Sequence, residues 1–278
     1  MLTNEKMEAM PELPEVEAVC RRLRQSAIGA RISAVAVYRP SMTRPQSPAH
    51  LRRLIPGRTI TAVERRGKHI LVRLNDETTV RVHLRMTGNL VVIPDGRLRP
   101  ETARVWFALE DGRAIVLDDP RALGRVTVHR EKQLAKLFES LGPEPFDPGF
   151  TPAYLAAAAS KTPKAAKIFL MDQRAVAGLG NIYAAEALFQ ARIHPAMPAR
   201  DISRRKLNAL HAAIVGVLTT ALHSAISAYN APGVVSEEEF FPVAVYGRED
   251  QPCPRCRTRI RRIPQGGRST YFCPRCQR

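Results

Sequence analysis

The spacing of apolar residues changes along the chain, and each change predicts a different kind of structure. Residues 14–26 carry apolar side chains three and four positions apart, with arginines between them, which predicts an amphipathic helix that stops near Gly29. From about residue 31 to 130, eight short runs rich in β-branched residues alternate with turn-forming groups such as NDET and EDGR. This pattern predicts an antiparallel β-sandwich or β-barrel. The segment REKQLAKLFESLG, which follows the last of these runs, predicts a helix at the end of this region.

The second half of the chain has a helical pattern. It follows GPEPFDPGFTP, a connector rich in proline and glycine. Four segments predict helices with no strand pattern between them: AYLAAAASK, KAAKIFLMDQ, NIYAAEALFQARI and SRRKLNALHAAIVGVLTTALHSAIS. The stretch AYNAPGVVSEEEFFP predicts a loop, and a small module rich in cysteine and arginine comes last. The fold is therefore predicted to be α+β and multidomain.

Length and charge narrow the class of protein. A chain of 278 residues is long enough for two domains, and its 45% apolar content excludes wholesale disorder. It has 43 Lys plus Arg against 26 Asp plus Glu, a net charge of +17. This excess favours a nucleic acid partner over a merely soluble basic protein. Since we find neither a secretory signal nor an apolar run of ~20 residues, we expect a cytoplasmic protein without a membrane span.

The cysteines predict a structural metal site. Cys253 and Cys256 form one CxxC pair, and Cys273 and Cys276 form a second pair 16 residues later. Four thiolates at this spacing are typical of a closed tetrahedral zinc site, whereas disulfides or idle thiols are disfavoured in a reducing compartment. Residues 251–278 also contain eight arginines and no acidic residue, so we expect a zinc-folded hairpin that faces phosphate.

The stretch MPELPEVE, residues 10–17, places a methionine directly before Pro11. An internal proline nitrogen is an amide and cannot attack a carbon atom. An N-terminal proline is a secondary amine with a pKa near ~7.7–8.0. It can attack a sugar C1′ and form an iminium ion. Translation from Met10 and removal of that methionine would expose Pro11; the alternative is that the segment serves only as a helix N-terminus.

Taken together, these features resemble the formamidopyrimidine-DNA glycosylases, bifunctional enzymes that excise oxidised purines and then nick the abasic strand. The resemblance covers nearly the whole chain from residue 10, and its motifs are MPELPEVE, RRGKHILV, HLRMTGNL, DDPRALGR, GLGNIYAAEALF and VYGREDQPCPRC…GRSTYFCPRC. It implies an N-terminal helix with an antiparallel β-sandwich, a helical two-turn-helix (H2TH) domain and a four-cysteine zinc finger.

The resemblance also implies a division of the chain and a partner. We expect an extension over residues 1–10, the catalytic β-sandwich domain over 11–142, the H2TH domain over 143–236 and the zinc finger over 237–278. Such a protein would be a monomer that clamps double-stranded damaged DNA between its first two domains, with Pro11 at the floor of the cleft. It would carry one structural zinc ion, and we expect no nucleotide cofactor, because the sequence has no nucleotide-binding loop.

Catalytic roles follow from the resemblance. Pro11 would be the nucleophile and Glu12 the general acid/base beside the deoxyribose. Lys68 would bind a phosphate near the lesion and assist catalysis. Glu15 and Glu186 also match family positions, and we expect them to support structure rather than chemistry.

Further residues would bind DNA. Arg268 would bind the phosphates that flank the lesion, and Asn181 would present a helix N-terminus to phosphate, where unpaired N–H groups favour an anion. Asn181 can also be interpreted as a plain N-cap, and the two roles are compatible. Lys167 matches a family lysine, and a solvated helix lysine is its alternative interpretation.

An enzyme that extrudes a base must also fill the gap in the duplex. Met86, Arg121 and Leu123 match the family's void-filling positions, where apolar wedges and one arginine suit the task. For Met86 and Leu123 the alternative is ordinary core. The pair Ala122-Leu123 departs from the family, which has a basic residue and then phenylalanine there. Residues 224–241 depart as well, because the family's lesion-covering loop is richer in glycine.

These departures leave the identity of the preferred lesion open. Oxidised purines such as 8-oxoguanine and formamidopyrimidines are the main expectation. Oxidised pyrimidines, the substrates of the related endonuclease VIII enzymes, are an alternative that PELP at residues 11–14 disfavours, because that branch has PEGP. A catalytically silent zinc-finger DNA-binding paralogue with a blocked amine is the rival from another class, and a zinc-ribbon RNA binder is a third.

Overall fold

A computed structural model describes residues 10–229 and 241–278. The chain divides into two compact units. Among the described residues, the first comprises 10–139 and is called the N-terminal unit; the second comprises 140–228 and 241–278 and is called the C-terminal unit.

The N-terminal unit is an antiparallel β-sandwich that is preceded by one helix and followed by another. The elements are α1 (Leu13–Ala27), β1 (Ile32–Val37), α2 (Pro48–Leu54), β2 (Ile60–Arg66), β3 (His69–Leu74), β4 (Thr78–His83), β5 (Asn89–Ile93), β6 (Ala103–Leu109), β7 (Ala114–Asp118), β8 (Arg125–Arg130) and α3 (Glu131–Phe138). One sheet has the strand order β1-β6-β7-β5 and the other has the order β2-β3-β4-β8. All eight runs that predicted strands form strands, and the helix predicted over 14–26 is confirmed.

Alternation of side chains builds the sandwich core. In β3, Ile70, Val72 and Leu74 are buried in the main hydrophobic cluster, together with residues from both sheets and from α1. Successive side chains on a strand point to opposite faces, so His69 and Arg73 lie on the outward face of the same strand. Helix α2 was not predicted, because its seven residues are too few to show a helical period; Ser47 caps it by accepting the His50 N–H.

Two loops cross between the sheets at the same end of the sandwich. The Met86 loop (residues 84–88) connects β4 to β5, and the Arg121 loop (residues 119–124) connects β7 to β8. Their flanking residues are paired, since His83 is opposite Arg125 and Asn89 is opposite Asp118. The two loops therefore run beside each other.

The C-terminal unit contains the four predicted helices and a two-stranded hairpin. The elements are α4 (Pro152–Ser160), α5 (Ala166–Met171), α6 (Asn181–Gln190), α7 (Arg204–Tyr229), β9 (Arg261–Gln265) and β10 (Arg268–Phe272). Contrary to expectation, the segment Arg204–Ala228 is long and apolar enough to meet the criterion for a membrane span. Its Leu210, Ile214 and Leu218 are buried in the core of the unit.

Candidate active site and DNA-binding residues

Helix α1 lies along β2, and this packing sets the place of Pro11 and Glu12. Three hydrogen bonds join the helix to successive residues of the strand: Arg24 Nε to Val63 O at 2.7 Å, Cys20 Sγ to Glu64 O at 3.5 Å, and Arg65 Nε to Glu17 Oε2 at 3.0 Å. As the strand residue number rises from 63 to 65, the helix residue number falls from 24 to 17, so the helix and the strand are antiparallel. The N-terminus of α1 is thus directed toward the β2–β3 turn, which holds Gly67 and Lys68. This turn adjoins the Met86 loop, because His69 pairs with His83 at the end of β4.

The first turn of α1 is buried and tightly hydrogen-bonded. Pro11 is buried, and Glu12, the N-cap residue, is 2% exposed. Glu15 is also buried, and its Oε2 accepts the Glu12 N–H at 2.9 Å. The tertiary amide that joins Met10 to Pro11 in this chain has no basic lone pair.

A histidine pair beside Lys68 was missed by the sequence analysis. The rings of His69 and His83 meet edge to face with centroids 4.7 Å apart. Burial and then neighbouring cationic groups lower the pKa of His69 to about 3 and that of His83 to about 2. His83 Nδ1 accepts the Arg85 N–H at 3.0 Å, which requires an unprotonated Nδ1. The sequence does carry a signal for this pair: His69 begins β3 and His83 ends β4, and these two positions face each other when consecutive strands pair as a hairpin.

The void-filling candidates lie on the two crossing loops. Arg121 is exposed and Met86 is half-buried, while Leu123 is 36% exposed, so Leu123 is not a core residue. The residues beside them have left-handed backbones, with φ of 61° at Arg85 and 53° at Ala122. Such non-glycine conformations are costly and persist where the surroundings fix them. The structure therefore gathers Pro11, Glu12, Lys68, Met86, Arg121 and Leu123 at one end of the sandwich.

Asn181 begins α6 in the C-terminal unit, but it is not the N-cap. Gly180 occupies that position, so the plain N-cap interpretation is wrong. Asn181 Nδ2 donates to Tyr246 Oη at 3.2 Å, and its buried Oδ1 has no hydrogen-bond partner among the described residues. Glu186 Oε1 accepts the N–H groups of Val245 and Tyr246 at 2.9 Å each, which holds the chain leading to the zinc module. Burial raises the pKa of Glu186.

Lys167 is completely buried, so a solvated helix lysine is excluded. Its Nζ donates to Ser269 O at 2.8 Å and to Thr270 Oγ1 at 2.6 Å, on the strand that begins with Arg268. The hairpin turn before Arg268 is Gly266-Gly267, with φ of 55° and 72°, as a two-residue primed turn requires. Arg268 itself is exposed.

The four cysteines form one cluster in the C-terminal unit. The Sγ atoms of Cys253, Cys256, Cys273 and Cys276 all lie within 4.8 Å of one another. Each CxxC knuckle is closed in the same way: the Arg257 N–H donates to Cys253 O and the Gln277 N–H donates to Cys273 O, each at 3.0 Å. A set of four sulfur ligands fits tetrahedral zinc, and among the described residues the cluster includes no histidine or carboxylate. The site is therefore structural.

The fold, the grouped residues and the four-cysteine cluster are those expected of a DNA glycosylase with a zinc finger. Comparison with known proteins agrees over most of the chain from residue 10 onward. The N-terminal domain model of formamidopyrimidine-DNA glycosylase matches residues 10–126, the H2TH domain model of the same enzyme matches 141–230, and the model of the zinc finger found in FPG and IleRS matches 250–278. The chain belongs to the formamidopyrimidine-DNA glycosylase family, whose members are bifunctional glycosylases and abasic-site lyases.

Individual relatives align with nearly the whole of this chain. Formamidopyrimidine-DNA glycosylase of Chloroflexus aurantiacus is 42% identical, with 96% of this chain and 98% of the relative covered. In the complex of Lactococcus lactis Fpg with DNA containing an abasic site, the protein chain is 29% identical to this chain and superimposes with a TM-score of 0.87. The match covers 96% of this chain and 99% of that chain. MutM in complex with DNA containing carbocyclic 8-oxo-G is 31% identical with a TM-score of 0.87, at 96% and 100% coverage.

Proposed function

We propose that the protein excises oxidised purines from double-stranded DNA through Pro11, freed as the N-terminal amine. The protein is a base-excision repair glycosylase and abasic-site lyase by family. The observation that carries the role of Pro11 is where the family's sequence begins: the match starts at residue 10, directly before Pro11. Residues 1–9 precede the family's N-terminal domain, and a start at Met10 with removal of that methionine gives the secondary amine that the chemistry needs.

The proposed chemistry uses groups at the same end of the sandwich. The Pro11 nitrogen attacks C1′ of the damaged nucleotide and loses its proton, and the bond from C1′ to the base breaks as the base leaves with a proton. The C1′–O4′ bond then breaks as O4′ takes up a proton, which opens the sugar and leaves an iminium ion between Pro11 and C1′. Loss of a proton from C2′ of the resulting iminium ion then expels the 3′ phosphate. Glu12, buried at the N-cap of α1, exchanges protons at the deoxyribose, while Lys68 binds a neighbouring phosphate. Met86, Arg121 and Leu123 fill the space of the extruded base.

The C-terminal unit binds the phosphate backbone in this proposal. Asn181 offers the first turn of α6, where the N–H groups and the helix dipole favour an anion. Arg268 extends from the zinc-stabilised hairpin, and Lys167 serves phosphate binding through that hairpin. We retain 11–142, 143–236 and 237–278 as the catalytic domain, the H2TH domain and the zinc finger. Since the relatives are bacterial DNA repair enzymes, the protein acts on DNA inside the cell; we propose the cytoplasm.

Lesion preference is part of the proposal. The family name and the 8-oxo-G complex of MutM support formamidopyrimidines and 8-oxoguanine as substrates. Exposed Leu123 offers less contact to a neighbouring base than the family's aromatic ring, so discrimination of the opposite base is expected to be weaker. The altered segment 224–241 lies partly outside the described residues, and oxidised pyrimidines remain the alternative substrate class.

Borohydride trapping tests the proposal. Protein started at Met10 is incubated with a duplex carrying 8-oxoguanine opposite cytosine, reduced, and examined for a covalent complex that maps to Pro11. Protein that retains residues 1–9 is the matched control and should give no complex. Glu12→Gln should bind the duplex normally and excise slowly. A complex only with a preformed abasic site would shift the lesion preference, whereas tight binding without any complex would favour the silent DNA-binding protein.

A further inference from the structure

The Met86 loop and the Arg121 loop meet at one buried side chain, that of Asp119. This residue directly follows β7 and begins the Arg121 loop, and it is completely buried. Its two carboxylate oxygens are divided between the loops. Oδ1 accepts the Thr87 hydroxyl at 2.5 Å, and Oδ2 accepts the Gly124 N–H at 2.8 Å.

The residues that Asp119 contacts stand next to the residues that would enter the duplex. Thr87 follows Met86, and Gly124 follows Leu123. The Asp119 backbone fixes the same region, because its carbonyl accepts the Ala122 N–H at 3.1 Å and the Arg104 Nε–H at 2.8 Å. These bonds hold the Arg121 loop in the turn that gives Ala122 its left-handed conformation.

The space around the carboxylate is filled on the side of the Arg121 loop. A Cβ atom added at Gly124 would lie 3.2 Å from Asp119 Oδ2, 3.0 Å from Met42 Cε and 3.3 Å from His83 O. A carboxylate without hydrogen-bond partners is costly to bury. Movement of either loop alone would strip one of the two oxygens of its donor, so the loops are linked through Asp119.

We propose that Asp119 is a positioning residue that locks the Met86 and Arg121 loops together, so that Met86, Arg121 and Leu123 enter the duplex as one wedge. This role rests on the proposed function, in which Met86, Arg121 and Leu123 fill the void. The Asp119 carboxylate sets the positions of the two loops that carry them. Asp119 does not contact DNA or the reacting atoms in this proposal. It acts on the extrusion of the base and not on the amine chemistry at Pro11.

Thr87→Val tests the link, because it removes the hydroxyl that reaches Asp119 and keeps the size of the side chain. Thr87→Ser restores a hydroxyl and is the rescue variant. Thr79→Val is the control, since Thr79 is another threonine of the N-terminal unit and its hydroxyl accepts a hydrogen bond from Arg73 Nη1 at 3.0 Å, outside both loops. All variants are started at Met10.

Two readouts separate extrusion from chemistry. The first is 2-aminopurine fluorescence opposite a tetrahydrofuran abasic analogue, which reports filling of the void without any reaction. The second compares excision of 8-oxoguanine from duplex with strand nicking at an abasic site in single-stranded DNA. With Thr87→Val we expect loss of the 2-aminopurine change and about tenfold slower excision, the effect of losing one hydrogen bond to a charged group. Nicking of single-stranded abasic DNA should be unchanged.

Thr87→Ser should return both signals to near the wild-type level, and Thr79→Val should leave them unaltered. The proposal is overturned if Thr87→Val keeps the wild-type fluorescence change, or if Thr79→Val reduces it equally. The proposed function can fail separately: wild-type protein that neither excises nor traps, but whose fluorescence change still requires the Thr87 hydroxyl, would refute the chemistry and retain the role of Asp119.

Discussion

Replacing Lys167 with methionine tests how the hairpin that carries Arg268 is held. The buried Lys167 amine donates to Ser269 O and Thr270 Oγ1 at 2.8 and 2.6 Å. Methionine has a similar length and no donor, so both acceptors lose this partner. A hydrogen bond to a charged group contributes about 1.5–3 kcal/mol, and relief of the buried charge offsets part of the two bonds. We expect the free energy of unfolding to fall by about 2 kcal/mol.

The consequence for DNA binding follows from what the amine contacts. A loosened hairpin should weaken binding of the lesion duplex. Because the Lys167 amine contacts the hairpin and not a phosphate, the replacement removes no direct phosphate contact. The slope of log K against log salt concentration should therefore be unchanged, whereas loss of one direct phosphate contact would reduce it by about 0.9. Fluorescence anisotropy between 50 and 200 mM salt measures the slope, and urea denaturation measures the stability.

Lys206→Met is the matched control. Lys206 lies in the same unit, and its Nζ donates to Arg278 O at 2.6 Å in a solvent-exposed hydrogen bond. Its replacement should change the stability by less than about 1 kcal/mol. A reduced salt slope for Lys167→Met with unaltered stability would refute the structural explanation and identify Lys167 as a phosphate ligand.

Three further changes have defined outcomes. Removal of zinc by a chelator should unfold the four-cysteine module and abolish duplex binding, as followed by circular dichroism and anisotropy; retained binding would contradict the structural role. His69 and His83 have folded pKa values below the unfolded 6.5, so each should cost about 1.4 kcal/mol of stability per pH unit as the pH falls from 6.5 toward 5. His83→Asn, which keeps an acceptor for the Arg85 N–H, should make the slope shallower by its own share, about 1.4 kcal/mol per pH unit, and an unchanged slope would exclude His83 as a cause. Gly88→Ala places a Cβ 2.5 Å from Leu84 O and should destabilise by more than about 2 kcal/mol, whereas Gly216→Ala, with nothing within 4 Å, should stabilise by up to about 1 kcal/mol in urea denaturation.

Prediction from the sequence succeeded where the signal was local and repeated. The alternation of apolar residues gave all eight strands of the sandwich, and helical spacing gave α1 and the four helices of the C-terminal unit. It failed where a short segment depends on its neighbours. Helix α2 was missed because its seven residues are too few to show a period. Asn181 was offered as a possible N-cap although Gly180 has that place, since one position is within the uncertainty of a helix end.

Some side chains looked equivalent in the sequence and differ in the structure. Lys167 and Lys164 stand three residues apart in one lysine-rich segment, yet Lys167 is completely buried and Lys164 is exposed in an ion pair with Asp172. Periodicity alone does not reveal this, because the burial of Lys167 comes from β10, about a hundred residues later in the chain. Leu123 could equally have been core, and only its place on a crossing loop exposes it.

The sequence by itself determined the kinds of element, the four zinc ligands and the proline that follows Met10, because each depends on residues close together in the chain. The tertiary structure decided which of these residues meet. Packing of α1 along β2 directs Glu12 toward the Lys68 turn, and the pairing of β4 with β8 brings the Met86 and Arg121 loops together. Strand register is fixed by long-range backbone pairing and core packing, so the burial of Asp119 between the two loops has no local signal.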